Sequence, residues 1–204
     1  MTNLKKFAKL AAATVYEANG KRGDMAPAIR QMVPGTRLFG PAFTVRCLPG
    51  DFAAVLRAID RAKRGDVLVI DAGGSDRVTA LGGTSSLAAR TRGLAGAIVN
   101  AACRDIDEIR AMKVPVYALG ISVRGTLKNH PGWLQVPVSV GGTTVEPGDY
   151  LLGDADGVVV IAKNRIAQVA KTALAQRANE QAREKQVSAG VSLIELFHLE
   201  ALKG

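Results

Sequence analysis

Short runs rich in branched aliphatic residues alternate with helical patterns through the first 120 residues, and that alternation limits the fold more than any other feature. The β-rich segment RLFGPAFTVRCL (37–48) precedes Pro49-Gly50-Asp51, which opens a helical pattern over about 52–62. Gly65-Asp66 then leads into VLVID, read as a short buried strand ending at Asp71. A loop over 72–83, a helix over about 84–92, the strand AGAIVN, the turn AACRD, a helix from Asp105 and the strand VPVYAL (114–119) repeat the scheme. Strands joined by helices are the sequence signature of crossover units. Aromatic residues are only 4% of the chain, so such strands would pack against alanine-rich helices. An α/β or α+β fold is expected.

Beyond residue 120 the pattern changes. VPVSVGGTTV places Gly141-Gly142 between two β runs, Pro147-Gly148 marks another turn, and DADG (154–157) precedes VVVIA, which reads as antiparallel strands. Before the crossovers, apolar positions from Leu4 to Val15 predict one helix over 3–18, stopped at Asn19-Gly20. At the other end the spacing of Ile166, Val169, Ala170, Ala173 and Leu174 predicts a long helix over about 164–186. A short tail helix follows over about 191–202, with Leu193, Leu196 and Phe197 on one face. No repeat or linker divides the 204 residues, so a single domain over 1–204 is expected.

The charge and motif content narrows the function classes. The formal net charge is +9, yet the basic residues are scattered and not interleaved with aromatics, which argues against nucleic-acid binding and for an anionic small molecule. Two isolated cysteines, Cys47 and Cys103, match neither a disulfide framework nor a zinc site, and point to a reducing cytoplasm. Lys9 interrupts the apolar N-terminal run, which argues against a signal peptide. No apolar run approaches the roughly 20 residues of a membrane span. The glycine pairs fit neither the dinucleotide nor the nucleoside-triphosphate fingerprint. His130 reads as loop surface and His198 as structural, which leaves no Ser-His or Cys-His enzyme.

Gly82-Gly83-Thr84-Ser85 and Arg104-Asp105 are the segments with chemical promise. Glycines before a helix let backbone amides approach an anion, and the helix start adds partial positive charge. An ordinary capped helix start explains the same residues. Asp105 is either the cap of the next helix or a hard oxygen ligand for Mg²⁺ or Mn²⁺, with Arg104 binding an anionic oxygen beside it.

These two segments resemble a family pattern. In the class II 4-hydroxy-4-methyl-2-oxoglutarate aldolases and the related regulator of ribonuclease activity A, a Gly-acid-x-Leu turn precedes G-V-x-x-D-G-x-x-R-D. Here Gly82-Gly83-Thr84-Ser85, Gly96-Ala97 and Asn100-Ala101-Ala102-Cys103-Arg104-Asp105 correspond, with Gly82 and Arg104 22 positions apart. RLFGPAFTV, RGDVLVID, VPVSVGGTTVEPGDYLLGDADGVVVI and the long C-terminal helix extend the resemblance over nearly the whole chain. It departs from the pattern at the turn acid, which is Gly83, and at the Asp-Gly before the Arg-Asp pair, which is Asn100-Ala101.

The resemblance implies a swivelling β/β/α fold, assembled as homotrimers or homohexamers with sites between subunits. It also implies a divalent-metal-dependent lyase that releases pyruvate from 4-hydroxy-4-methyl-2-oxoglutarate, or a related 4-hydroxy-2-oxo acid, through a metal-stabilised pyruvate enolate. Oxaloacetate decarboxylation is the expected side activity. Gly82, Gly83, Thr84 and Ser85 would present amides to the substrate, Arg104 would hold its oxygens, and Asp105 would hold Mg²⁺ or Mn²⁺. Glu180 or Glu184 from an adjacent subunit would contact the metal through water, unless these glutamates simply solvate a helix face. The alternative is a non-catalytic regulatory protein that inhibits a ribonuclease. A quinone-precursor methyltransferase finds no support, because no glycine-rich strand-turn-helix for a methyl donor is present.

Overall fold

The computed structural model describes residues 2–199. Two short helices, α1 (Thr2–Phe7) and α2 (Ala12–Ala18), come first, followed by strands β1 (Arg30–Gln31) and β2 (Leu38–Arg46). Helix α3 (Ala53–Arg61), strand β3 (Val67–Leu81), α4 (Gly83–Thr91), β4 (Gly96–Cys103), α5 (Ile106–Met112) and β5 (Val116–Ile121) form the alternating region. Strands β6 (Trp133–Leu134), β7 (Val138–Val140), β8 (Thr143–Val145), β9 (Tyr150–Asp154) and β10 (Gly157–Ile161) follow. The chain then enters α6 (Ile166–Ser188) and α7 (Leu193–Leu196).

The main sheet is mixed, in the order β1-β5-β4-β3-β2-β9-β10 with β6 also on β2, and β7 pairs with β8 apart from it. Strands β2, β3, β4 and β5 run parallel to their neighbours in this series, whereas β9 and β10 add to β2 antiparallel. The α/β expectation holds for this reason: each parallel step needs a crossover, and α3, α4 and α5 supply the three. These helices cover one face, where Val55, Ala58, Ala89 and Ile109 pack against Val45, Leu68, Ile70 and Val99. The β7-β8 hairpin lies over the opposite face, where Val138, Val140 and Val145 join Val69, Ile98 and Tyr117. Helices α1, α2 and α6 close a third cluster on β9 and β10 through Phe7, Val15, Leu152, Ile161 and Ala173.

Four elements differ from the sequence reading. The first helix is broken, because Ala11 is extended and the Ala12 amide donates to the Asp154 carboxylate at 2.8 Å. That contact joins residues 142 apart and gives α2 an N-terminal acceptor that its own sequence lacks. Strand β3 does not end at Asp71 but continues to Leu81, with register shifts against β4 after Asp71, Ser75 and Thr79. Gly73 and Gly74, at φ of +90° and +74°, provide the backbone geometry that such bulges use. Likewise the supposed turn AACRD is strand as far as Cys103. The tail helix comprises only Leu193–Leu196 within the described residues, and positions 200–202 of the expected helix lie outside them.

Candidate functional site

Both chemically promising segments follow directly from strand ends. Strand β3 stops at Leu81 and β4 stops at Cys103, and the Arg104 amide donates to the Leu81 carbonyl at 3.0 Å, which holds the two exits side by side. The carboxyl ends of parallel strands are where open α/β sheets place ligands. Arg104-Asp105 therefore meets the start of α4.

The glycine turn uses its own hydroxyl to close. Ser85 Oγ donates to the Gly82 carbonyl at 2.9 Å and accepts from the Gly82 amide at 3.0 Å, so this buried hydroxyl is spent on the turn. The Gly83 amide donates to Asp105 Oδ2 at 2.9 Å. Of the four turn residues, Thr84 and Ser85 keep amides with no acceptor among the described residues. Those two N–H groups are the ones left to meet an anion.

Asp105 sits at the N-cap position of α5, but its side chain makes no cap bond there. Its carboxylate reaches back to Gly83 instead, from a left-handed backbone (φ 55°, ψ 42°) that few non-glycine residues adopt. Arg104 Nε lies 3.6 Å from the same Asp105 oxygen, and both side chains are about half exposed. The arginine needs small neighbours: a Cβ on Gly82 would lie 3.3 Å from Arg104 Cγ and 2.9 Å from Asp105 Oδ2, and one on Gly125 would lie 3.0 Å from an Arg104 Nη.

A cleft of about 420 Å³ opens over this arrangement. Gly82, Thr84, Ser85, Arg104 and Asp105 line one part of it, and Phe52, Leu56, Thr79, Leu81, Ala88, Gly125, Thr126 and Lys128 line the rest. Sequence reading missed this second group, which comes from the end of β3, from α4, from the start of α3 and from the segment after β5. Asp51 fastens that segment. Its carboxylate accepts from the amides of Ala53 (2.9 Å), Asn129 (2.6 Å) and His130 (3.0 Å), while Leu127 pairs with Gly50 and Phe52 through the backbone. Burial opposes ionisation of Asp51, but the three amide donors and nearby His130 outweigh it and hold the carboxyl below its ordinary value. Lys128 Nζ is thereby poised 5.9 Å from the centre of the Phe52 ring, at the cleft.

Other sequence candidates lie elsewhere. Glu180 accepts from Thr14 at 3.1 Å and pairs with Arg177 at 3.4 Å, and Glu184 pairs with Arg177 at 2.6 Å, so within one chain neither reaches the cleft. Asn100 Nδ2 donates to Asp71 Oδ1 (3.4 Å) and the Ser139 carbonyl (3.3 Å), tying β4 to β3 and to the hairpin. His130 packs on Trp133 at 5.2 Å between ring centres, and its Nδ1 accepts from the Gly132 amide. Both thiols are buried, which pushes Cys47 up to about 12 and Cys103 to about 11, so neither is a thiolate nucleophile at neutral pH.

A model of the RraA-like proteins, described as Aldolase/RraA, matches residues 12–160. The chain belongs to this family. Within the Aldolase/RraA family it is 35% identical over 193 residues to the "Putative 4-hydroxy-4-methyl-2-oxoglutarate aldolase" of Halalkalibacterium halodurans, covering 94% of this chain and 91% of that one. A solved structure of an uncharacterized protein from Pseudomonas syringae matches with a TM-score of 0.81 at 29% identity, over 94% of both chains. The RNA-processing inhibitor RraA from Thermus thermophilis matches with a TM-score of 0.70 at 29% identity, over 75% of this chain and 93% of that one. The family thus includes both a relative named for an aldolase and one named for inhibition of RNA processing. Among the described residues no helix is long and apolar enough to cross a membrane.

Proposed function

We propose that this family member is a divalent-metal-dependent carbon–carbon lyase acting in the cytoplasm on a small 2-oxo acid, with 4-hydroxy-4-methyl-2-oxoglutarate or a close relative as substrate. The observation that carries this reading is the meeting of Arg104, Asp105 and the free Thr84 and Ser85 amides at one cleft, beside a second cation, Lys128.

The donor set fits a hard cation. Asp105 Oδ2 is engaged by the Gly83 amide and Arg104, and Oδ1 has no donor among the described residues. Among those residues no group of three or more His, Cys, Asp or Glu gathers to cage an ion. An ion on Asp105 would therefore complete its shell with water and substrate oxygens, as Mg²⁺ and Mn²⁺ readily do. When bound, such a cation acts as a Lewis acid toward the 2-oxo acid and stabilises the negative charge left when the carbon–carbon bond breaks.

The chain's own residues perform the remaining tasks. Arg104 donates to the oxygen on which charge builds, a role worth most where donors are already positioned. Thr84 and Ser85 amides take the substrate's 1-carboxylate at the start of α4. Lys128, on the same lining, meets a second carboxylate, and Phe52, Leu56 and Leu81 restrict water around the breaking bond. Water inside the cleft carries the proton released from the 4-hydroxyl, because the lining contributes neither histidine nor cysteine. The same charged intermediate arises when oxaloacetate loses CO₂, so oxaloacetate decarboxylation accompanies the aldolase activity. Assembly into a homotrimer or homohexamer would bring Glu180 or Glu184 of the partner subunit toward this cleft.

The test is pyruvate release from 4-hydroxy-4-methyl-2-oxoglutarate and from oxaloacetate with Mg²⁺ or Mn²⁺, with and without chelator, and with Asp105→Ala as control. Turnover that ignores both chelator and substitution refutes the metal site. Absence of turnover on either substrate, with inhibition of a ribonuclease by the same preparation, favours the second reading, a regulatory binding protein like the Thermus relative's name describes.

A further inference from the structure

The volume over Gly83 is already taken. A Cβ built on Gly83 would lie 2.2 Å from Glu108 Oε2, 3.1 Å from Glu108 Cδ and 3.1 Å from Asp105 Cβ. A side chain at position 83 would require the Glu108 carboxylate, the far end of an exposed side chain on the first turn of α5, to move aside. Gly83 is buried and its backbone is helical, so strain does not exclude other residues from this position. The neighbour that stands in the way is an acid.

Glu108 also lacks a countercharge. The nearby guanidinium, Arg104, pairs with Asp105 at 3.6 Å, and among the described residues no ion pair involves Glu108. Two acidic side chains thus meet at the Gly83 corner, and the one ion pair formed there joins Arg104 to Asp105. A divalent cation favours carboxylates gathered at one corner. The departure from the family pattern noted above, glycine where the turn carries an acid, acquires a physical meaning here.

We propose that Glu108 supplies from α5 the carboxylate that the glycine turn lacks, filling the volume over Gly83 and ordering water around the cation held by Asp105. The proposal rests on the metal reading of the site. It makes positions 83 and 108 alternatives: one acid fits the corner, from either backbone position. Glu108 is a positioning residue in this scheme, acting through water on the ion that Asp105 binds.

Mn²⁺ binding to the full-length chain, followed by loss of the free-ion electron paramagnetic resonance signal, tests this without recourse to turnover. Glu108→Gln should weaken Mn²⁺ binding by about 10- to 100-fold, the usual effect of removing an outer-shell partner. Its melting temperature should be that of the parent chain, since the residue is exposed. The swap Gly83→Asp with Glu108→Ala should restore affinity to within about 3-fold of the parent, because the acid returns to the same corner. Parent-like Mn²⁺ affinity in Glu108→Gln, with Asp105→Ala abolishing binding, overturns the role of Glu108 and leaves the metal site standing. A folded swap variant that stays as weak as Glu108→Gln overturns the equivalence of the two positions. If the parent chain binds no Mn²⁺, the metal reading fails and this proposal fails with it.

Discussion

Replacing Arg104 with alanine separates catalysis from stability, because the two effects differ in size by design of the site. The Arg104–Asp105 pair is 3.6 Å long, with side chains 47% and 41% exposed. A pair so open to solvent contributes about 0.2–1 kcal/mol to stability. For a domain of this size each kcal/mol shifts the melting temperature by about 2–4 °C, so Arg104→Ala should lower it by no more than about 4 °C. Catalysis should suffer much more. Loss of one positioned donor to a developing oxyanion costs about 100- to 1,000-fold in kcat, and partial exposure of the guanidinium places this case near the lower end. The assay is oxaloacetate decarboxylation followed by pyruvate release, with kcat and KM measured separately and unfolding followed by circular dichroism. Arg104→Lys should recover only part of the loss, since it keeps the charge but not the planar fork. A variant whose kcat stays within about 3-fold of the parent while KM rises would refute the reasoning, since it would show that Arg104 binds ground state and transition state alike.

Three further outcomes follow from the same geometry. Asp105→Asn keeps an oxygen to accept from the Gly83 amide, so its melting temperature should hold while Mn²⁺ affinity falls by more than about ten-fold with the lost charge, as calorimetric titration would read. Lys128→Ala should raise KM for the dicarboxylate oxaloacetate by about ten-fold, or roughly 1.4 kcal/mol, and an unchanged KM would remove Lys128 from substrate binding. Asp51 has a carboxyl held below its ordinary value, so its contribution to the Leu127–His130 anchor is complete above about pH 3.8 and is lost as pH falls through the folded value. Hydrogen exchange should therefore show the Asn129 and His130 amides protected at pH 7 in the parent and exposed in Asp51→Asn, and equal protection in both would show that the carboxylate does not hold this segment.

Much of the scaffold was legible because its signals are local. The runs around Val45, Val69, Ile98 and Val116 alternate with helices in sequence as they do in space, and Gly141-Gly142 turns the β7-β8 hairpin with positive φ at both positions. The long helix α6, Ile166–Ser188, follows its apolar spacing. Where the reading failed, a distant partner decided the outcome. Val78 to Leu81 look like loop after Gly73-Gly74, yet β4 gives them a strand to pair with, and Ala11 leaves the helix because Asp154 waits for the next amide.

For the site, sequence alone determined which residues could carry chemistry: a glycine turn able to expose amides, and an arginine-aspartate pair at a fixed interval from it. Both are properties of residue type and order, which a chain retains however it folds. Tertiary structure decided how those groups are used. It gave the Gly83 amide to Asp105, the Ser85 hydroxyl to the turn, the volume over Gly83 to Glu108, and a wall of the cleft to Lys128 on a segment held by Asp51. Each of these is a contact between groups whose spacing carries no periodicity, such as the 78 residues from Asp51 to Asn129, so no pattern in the sequence encodes it. Only packing of the three crossovers against one sheet brings the strand ends, and with them these partners, to the same place.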